Sequence, residues 1–428
     1  MTLVLVLVIV LMLLFLASIL HPPLRASGKL KLPAGPRTPI VSLGATHGLI
    51  LASDGSLWSW GTDFLGWPVL GLGNINTQAN LCRIGNDTNW ISVAAGTSHN
   101  LAVKADGTLW AWGEDIRGQL GDGKKTKFQN QPVPSAPGND WKEAAPGGTH
   151  TIALKNDGTL WSWGNNWAGQ LGVGDSKDSV VPAQIGADHN WVRVWAGMLQ
   201  NAALKSDGSL WVWGDNPANS NQLARSPKNL LSPTPFSPDT NWVNAAFGNQ
   251  VLLAIKSDGT LWAWGRYASN CTGIADQPAI PTRVGTNNDW QSCTSAEWAR
   301  ELYAVLQKKD GSLWIMESSA ASTNRLRFTK IDLQKDWVAF AGGGGGGEDP
   351  RFHMHDGVCG GTALTRDGEV WEWGRALGEF TPQHRFMQFT AQLAKKAHYE
   401  AHWGDPQPVM HDQPARIRNV SPKTPAGK

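Results

Sequence analysis

The stretch Trp90-Ile-Ser-Val-Ala-Ala-Gly-Thr-Ser-His-Asn-Leu-Ala-Val-Lys-Ala-Asp-Gly-Thr-Leu-Trp-Ala-Trp-Gly113 contains the pattern that decides the fold. Trp90 to Ala95 and Asn100 to Lys104 are apolar runs of strand length, here named strands A and B. Ala105-Asp106-Gly107 supplies the positive-φ residue that a tight hairpin needs. Thr108 to Trp112 then alternates as a third strand, C. The stretch therefore predicts three consecutive antiparallel strands.

The phrase Asp-Gly-x-(Leu/Val)-Trp recurs along the whole chain at intervals of 52, 51, 50, 51, 52 and 57 residues. The seven copies begin at Asp54, Asp106, Asp157, Asp207, Asp258, Asp310 and Asp367. A glycine-rich loop and a fourth short strand, D, such as Pro182 to Ile185, complete each unit. Such a unit cannot bury its own faces, so its copies must stack. The pattern predicts an all-β fold, a seven-bladed β-propeller of four-stranded antiparallel blades.

The repeat also resembles a known family. Three motifs together resemble the regulator-of-chromosome-condensation repeat in its bacterial form, over roughly Pro39 to Gly374. They are Gly96-x-x-His99, Leu-Ala-Val-Lys-x-Asp-Gly-Thr-Leu-Trp-x-Trp-Gly and Gly-Gln-Leu-Gly. The resemblance implies a seven-bladed propeller. It leaves the activity open, because members include an exchange factor for a small GTPase, an inhibitor of β-lactamases and many uncharacterised proteins.

The sequence divides into six segments. They are a hydrophobic signal or membrane-anchor helix at 1–20, a linker at 21–38, seven propeller repeats at 39–374, a helical excursion at 375–412, the last propeller strand at 413–420 and a tail at 421–428. The short helix of the excursion is predicted around Arg385 to Tyr399, where Phe386 and Phe389 begin an apolar stripe.

Leu3 to Leu20 is an apolar run of 18 residues, a length between that of a signal-peptide core and that of a membrane span. Ala26-Ser27-Gly28 offers a small-residue cleavage site. We favour export with a retained anchor, which places the propeller in the periplasm or outside the cell. The basic residues that follow the run favour the cytoplasmic side instead.

Composition narrows the function classes. The net charge is +2 over 428 residues and no basic stripe occurs, so nucleic-acid binding is not expected. The chain has four cysteines, of which Cys271 and Cys293 could pair in an oxidising compartment or stay free. We expect a monomer.

No catalytic motif is recognised. Three histidines, His47, His99 and His150, occupy the same position of the repeat, which favours a structural hydrogen-bonding role. The repeated Asp is expected to stabilise the turn of the Asp-Gly phrase. The cluster of His353, His355, Asp356 and Cys359 matches no metal-ligand spacing well. We expect no enzyme activity, no cofactor and no metal. The Trp of the Asp-Gly phrase, Trp110 in the second blade, is expected to lie in the core.

Function is expected where the repeat breaks. The A–B loop is four residues longer in blade 6 and 14 longer in blade 7 than in blades 2–5, and the excursion follows. Loops carried by a rigid scaffold are the usual binding sites. The predicted partner-binding residues are Trp67, Trp167, Trp298, Phe352, His353, His355, Phe386 and Phe389.

Because successive strands alternate in direction, the A–B and C–D loops are expected on the same face of the propeller. The expected function is a non-catalytic scaffold that binds a protein partner through that loop face. The family resemblance leaves a guanine-nucleotide exchange factor for a small GTPase and an enzyme inhibitor as alternatives. A cell-wall or carbohydrate-binding propeller is another, because exposed Trp rings stack well on sugars.

Overall fold

The fold was analysed in a computed structural model that describes residues 25–63, 66–73, 77–215, 229–248, 251–265, 281–295, 302–318, 326–331, 336–343 and 360–374. These residues form seven four-stranded antiparallel sheets, which are the seven predicted blades. The described part of the chain contains no helix long and apolar enough to cross a membrane. Leu3–Leu20, the excursion helix and the strand expected at 413–420 lie outside it.

Blades 1 to 6 each take four consecutive strands in the order A, B, C, D. Their bounds are β2 Ile40–Leu43, β3 His47–Leu51, β4 Leu57–Thr62 and β5 Thr77–Arg83 in blade 1; β6 Trp90–Ala95, β7 His99–Lys104, β8 Leu109–Glu114 and β9 Phe128–Pro134 in blade 2; β10 Trp141–Pro146, β11 His150–Lys155, β12 Leu160–Gly164 and β13 Ser179–Gln184 in blade 3; β14 Trp191–Ala196, β15 Gln200–Lys205, β16 Leu210–Gly214 and β17 Leu230–Pro235 in blade 4; β18 Trp242–Gly248, β19 Val251–Lys256, β20 Leu261–Gly265 and β21 Thr282–Arg283 in blade 5; β22 Trp290–Ser295, β23 Tyr303–Lys308, β24 Leu313–Ser318 and β25 Leu326–Lys330 in blade 6.

Blade 7 is assembled from both ends of the propeller. Strands β26 Trp337–Gly343, β27 Gly360–Thr365 and β28 Glu369–Gly374 supply its A, B and C positions, and β1 Arg25–Lys31 takes the outer D position. The sequence assigned residues 21–38 to a linker, whereas β1 pairs antiparallel with β28. Leu32 follows β1, donates its backbone N–H to Gly368 O at 3.1 Å, and is buried.

The A strands surround the axis, and each contacts the A strand of the next blade, including β26 with β2 across the closing seam. The core is divided into seven hydrophobic clusters, one in each space between neighbouring blades. The cluster at the closing seam joins Val41 and Trp60 of blade 1 to Leu364 and Val370 of blade 7. The ring is therefore closed by packing as well as by β1.

Strand direction creates two different faces. The A–B and C–D loops emerge together on one side, here called the loop face, as the sequence predicted. The Asp-Gly turns and the D–A connections occupy the other side, the turn face. In blades 2 to 7 the register shifts directly after the first Trp of strand A. Such a bulge re-aims the following side chain, and Ile91 and Val243 at this position are exposed.

Candidate functional site

The repeated histidines connect neighbouring blades. His47 Nε2 lies 2.7 Å from Asn100 Oδ1 of blade 2, and Asn100 donates in turn to the carbonyl of Val69 in the C–D loop of blade 1. Trp112 Nε1 donates to the same carbonyl at 2.9 Å. The arrangement recurs with His99, Thr151, Gln119 and Trp163, and again with His150, Asn201, Gln170 and Trp213.

These histidines are structural, as the sequence predicted. Burial lowers the pKa of His47 and His150 to about 4 and that of His99 to about 3. A neutral imidazole enclosed between two blades has no access to a substrate. Its hydrogen bonds instead help to hold the C–D loops of blades 1, 2 and 3 against the next blade.

The Asp-Gly turns are also structural. Asp106 Oδ1 accepts hydrogen bonds from Thr108 N at 3.0 Å and Thr108 Oγ1 at 2.7 Å, and Trp110 Nε1 donates to the same hydroxyl. Gly107 has a φ of +79°, and a Cβ there would lie 1.9 Å from Asn139 O. The repeated glycine is therefore required both by the turn conformation and by the adjoining connection.

Five lysines at the end of strand B form a feature that the sequence analysis missed. Lys104 Nζ lies 4.7 Å and 3.8 Å from the ring centroids of Trp90 and Trp110 and 2.7 Å from Asp87 Oδ2. Lys155, Lys205, Lys256 and Lys308 repeat this Lys–Trp sandwich in blades 3 to 6. The signal was visible as Lys two residues before each of these Asp-Gly phrases.

The C–D loop of blade 3 presents an exposed tryptophan on a rigid support. Trp167 is 61% exposed, whereas the residues on both sides of it, from Ser162 to Gly172, are buried. Ala168 N donates to Gln170 Oε1, Gln170 Nε2 donates to Asn165 Oδ1, and Leu171 N donates to Asn166 Oδ1, each at 2.8 Å. The indole is therefore held outward by a loop whose polar groups are already bonded.

Trp167 is one of several exposed hydrophobic side chains on this side of the propeller. Eight large hydrophobic side chains of the described residues are exposed, and six of them lie on the loop-face side of blades 2 to 4. We call these six the loop-face rim: Ile116, Phe128, Trp167, Val181, Met198 and Leu231. The other two, Ile91 and Val243, lie near the turn face.

Neighbouring blades pack against each other at two places along the rim. A Cβ on Gly118 would lie 2.7 Å from Val180 Cγ1, and one on Gly169 would lie 2.6 Å from Leu231 Cδ2. The C–D loop tips of blades 2 and 3 thus rest on strand D of the next blade. Ile116 and Trp167 hold the same tip position, the third residue after Gly113 and Gly164. That equivalence is the sequence signal that could have revealed Ile116.

Polar surface borders the rim. A shallow cleft of about 580 Å³ opens beside Val181, with Asp122, Lys124 and Gln129 among its lining residues. Lys125 pairs across the blades with Asp178 at 3.8 Å. An apolar centre with a mixed polar border is the composition of a protein-binding surface.

The structure brings together few of the predicted partner-binding residues. Trp167 is exposed on the loop face, as expected, and Trp67 is half-buried in the C–D loop of blade 1, where its carbonyl accepts the N–H of Val69. The others lie outside the described residues: Trp298, Phe352, His353, His355, Phe386 and Phe389. The surface predicted over blades 6 and 7 thus stays a prediction.

The described ranges contain no metal site, because no three His, Cys, Asp or Glu side chains lie together where they could hold a metal ion. Cys293 is buried, its Sγ lies 3.3 Å from Asn244 Oδ1, and burial raises its pKa to about 12. Its possible partner in the sequence, Cys271, lies outside the described residues.

Comparison with known proteins agrees with this architecture. The sequence matches the RCC1-like domain family over residues 23–322. The chain belongs to this family. Yeast Prp20p, from Saccharomyces cerevisiae, superimposes on this RCC1-like chain with a TM-score of 0.59 at 18% identity, covering 83% of this chain and 85% of Prp20p. At that identity the likeness shows the fold alone.

Curated relatives match shorter segments of the RCC1-like chain. The probable E3 ubiquitin-protein ligase HERC6 of Homo sapiens is 35% identical over 160 residues, which cover 35% of this chain and 15% of HERC6. The ultraviolet-B receptor UVR8 of Arabidopsis thaliana is 34% identical over 152 residues, covering 35% of this chain and 34% of UVR8. The matches thus span about a third or less of these relatives, and they support the propeller repeats.

Proposed function

We propose that this RCC1-like chain is a non-catalytic propeller that binds a protein partner through its loop-face rim, and that it is exported and held at a membrane by Leu3–Leu20. The observation that carries the binding proposal is Trp167, an exposed indole on a loop that is held by hydrogen bonds among its own residues. Trp is strongly enriched among residues that dominate binding energy.

Rigidity and composition both favour a protein partner. A pre-organised anchor avoids the entropy that a mobile loop loses on binding. The rim has aliphatic and aromatic side chains, Ile116, Val181 and Leu231 among them, on the same face as the indole, and such exposed apolar side chains suit a protein partner. Prp20p, whose fold this chain shares, is described by its binding to Gsp1p and histones.

The absence of catalysis is part of the proposal. The titratable groups that recur in the blades serve the scaffold: the histidines bridge blades, the Asp-Gly carboxylates cap turns, and the lysines lie between tryptophans. Burial also raises the pKa of Asp115, whose oxygens accept bonds from Leu120 and Thr126 within its own loop. Each of these groups already has a structural role.

The test compares Trp167→Ala with Val243→Ala in the full chain. Val243 is a matched control, because it is an exposed hydrophobic residue near the turn face. Capture of a partner identified with the parent protein should fall about 30-fold for Trp167→Ala, the loss expected from a hot-spot residue worth about 2 kcal/mol. Both variants should keep the parent melting temperature, because both side chains are exposed.

The opposite pattern would reject the rim. If Val243→Ala abolished capture while Trp167→Ala did not, the partner would bind the turn-face side. Photo-crosslinking gives a second test of which face binds the partner, with the crosslinker placed at Ile116 or at Ile91, both in blade 2. The adduct should form with the partner only from Ile116.

A further inference from the structure

The repeated Asp-Gly sequence is a site of spontaneous chemistry as well as a turn. The backbone nitrogen of the glycine can attack Cγ of the aspartate, so that an N–Cγ bond forms and one carboxyl oxygen leaves as water. Water then opens the resulting succinimide at either carbonyl, which restores the aspartate or gives isoaspartate with a methylene moved into the main chain. Glycine permits the attack because it has no Cβ to hinder the nitrogen.

The described residues contain eight Asp-Gly pairs, the seven of the repeats and Asp122-Gly123 in the C–D loop of blade 2. We propose that the Ser or Thr two residues after the repeated aspartate protects it from this reaction. Asp122-Gly123, which has no such hydroxyl, is then the pair of these eight that isomerises in the folded protein.

In six repeats this hydroxyl binds the carboxylate. Oδ1 of the aspartate accepts the hydroxyl at 2.5–2.7 Å and the backbone N–H of the same residue at 2.9–3.0 Å, in Asp54, Asp106, Asp157, Asp207, Asp258 and Asp310. The carboxylate is thereby held towards the residue after the glycine. The hydroxyl of Thr108 also lowers the pKa of Asp106, so the protonated carboxyl group, which loses water most readily, is scarce.

The seventh repeat holds its carboxylate with other groups. Glu369 stands two residues after Asp367, but Thr365 Oγ1 donates to Asp367 Oδ1 at 2.5 Å. Lys31 Nζ lies 2.9 Å from Oδ2 of the same carboxylate. All seven repeated carboxylates therefore accept a hydroxyl group.

Asp122 differs from all seven. Lys124 stands two residues after it, and among the described residues the backbone N–H of Lys124, at 3.0 Å, is the one hydrogen-bond donor to Asp122 Oδ1. The Lys124 Nζ atom is 4.0 Å from Oδ2. A carboxyl group with a single neutral donor can turn its Cγ towards Gly123 N.

The attacking nitrogens also differ. Gly107 N donates to Lys104 O within its own hairpin at 2.9 Å, whereas Gly123 N donates to Val180 O of blade 3 at 3.1 Å. The second bond opens whenever the loop tip separates from the next blade, and loops open at a lower free energy than paired strands. Gly123 N is therefore released more often than Gly107 N.

The space around the glycine favours the same pair. A Cβ on Gly107 would lie 1.9 Å from Asn139 O, while the nearest atom to one on Gly123 is Val181 Cγ1 at 3.7 Å. The main chain has room to shift into the succinimide at Gly123, whereas the connection to the next blade blocks that shift at Gly107.

Asp310-Gly311 separates the effect of the hydroxyl from the effect of space. A Cβ on Gly311 would meet no atom within 4 Å, yet Ser312 donates its hydroxyl to Asp310 at 2.6 Å. If the hydroxyl protects, this open turn stays unmodified.

Isomerisation at Asp122 changes the loop face and leaves the blades paired. Asp122 and Lys124 line the cleft that opens beside Val181, and isoaspartate adds a methylene to the main chain there. At a repeated turn the same change would lengthen a hairpin between two paired strands.

The test measures isoaspartate at each pair after several weeks at neutral pH, in the folded full chain and in the chain unfolded by urea. Peptide mapping by mass spectrometry, with fragmentation that distinguishes isoaspartate from aspartate, gives the fraction at each site. In urea the eight pairs should react at similar rates, because each is then an exposed Asp-Gly. In the folded chain Asp122 should react several-fold faster than Asp106 and Asp310.

Substitutions remove or supply the hydroxyl. Thr108→Val should raise isoaspartate at Asp106 several-fold, whereas the matched control Thr108→Ser should stay at the parent level. Lys124→Thr should lower isoaspartate at Asp122 several-fold, whereas Lys124→Gln, which removes the charge without adding a hydroxyl, should not. Lys124 is exposed, so both of its variants should melt like the parent.

Three results would overturn the proposal. Equal rates at Asp106 and Asp122 in the folded chain would show that the repeated turns are not protected. A rate at Asp310 as high as at Asp122 would assign the protection to space, and an unchanged rate at Asp122 in Lys124→Thr would exclude the hydroxyl as its cause. If Thr108→Val fails to fold, the Lys124 variants and Asp310 still decide.

Discussion

At the scale of the residue, the two tryptophans of Trp-x-Trp-Gly show where sequence reasoning reached its limit. Both lie on the same side of strand C, because residues two apart share a face. Trp112 is fully buried because the C–D loop of blade 1 covers it, while Trp110 is only half-buried beneath Lys104. The sequence expectation that Trp110 is core is therefore only partly correct, since coverage depends on the neighbouring blade.

The same contrast in blade 3 gives a prediction. Trp163 is fully buried and donates to Gln119 O, so Trp163→Ala should cost about 3–5 kcal/mol. Trp161 is half-buried and lies edge-on to Trp141, so Trp161→Ala should cost less than half as much. Thermal melting of the two variants beside the parent measures the order. A larger loss for Trp161→Ala would contradict the assigned burial.

The rim illustrates the same limit for the candidate site. Trp167 could be singled out because it departs from the repeat template. Ile116 and Leu231 are ordinary aliphatic residues in a loop and a strand, and nothing in their identity separates an exposed position from a buried one. Their exposure depends on how the C–D loop tip of one blade packs on strand D of the next, which is a contact between two blades.

At the scale of the element, strands A, B and C followed from local pattern, and the structure places them within two residues of the predicted bounds in blade 2. The outer strand of blade 7 could not be predicted from local pattern. Residues 25–31 and 414–417 are both short and weakly alternating, and the choice between them depends on a partner more than three hundred residues from one of them. A local pattern cannot decide such a pairing.

Two truncations of different length test this strand. A chain that starts at His21 keeps β1 and should melt like the parent. A chain that starts at Leu32 loses β1, leaves the edge of β28 unpaired, and should melt several degrees lower and associate through that edge. Equal melting temperatures would show that another segment, with 413–420 as the candidate, can occupy the outer position.

At the scale of the whole molecule, the seven seams between blades are not equivalent. The first three, from blade 1 to blade 4, are joined by the histidine networks, in which a C–D loop carbonyl accepts two side-chain donors. At the closing seam the Trp60 side chain hydrogen-bonds instead to the carboxyl group of Glu372 in blade 7. This carboxyl group lies in a blade-to-blade contact, where its charged form is poorly solvated.

Burial raises the pKa of Glu372 from 4.5 to about 7. The folded protein therefore keeps this proton between pH 4.5 and 7 while the unfolded chain loses it, so the free energy of unfolding decreases as the pH rises through that window. Above pH 7 the folded seam contains a half-buried, poorly solvated carboxylate. Since this seam closes the ring, its weakening should be felt by blades 1 and 7 before the others.

Glu372→Gln tests whether this carboxyl group controls ring closure. The amide stays neutral and can still accept the Trp60 N–H, so the variant should exceed the parent in stability by about 1–3 kcal/mol at pH 8 and match it near pH 4.5. Hydrogen exchange at pH 8 should slow in β2 and β28 of the variant, whereas β10 to β12, on the far side of the ring, should exchange as in the parent. If both proteins melt together at both pH values, or if exchange slows equally in all blades, the closing seam is not the pH-dependent part of the propeller.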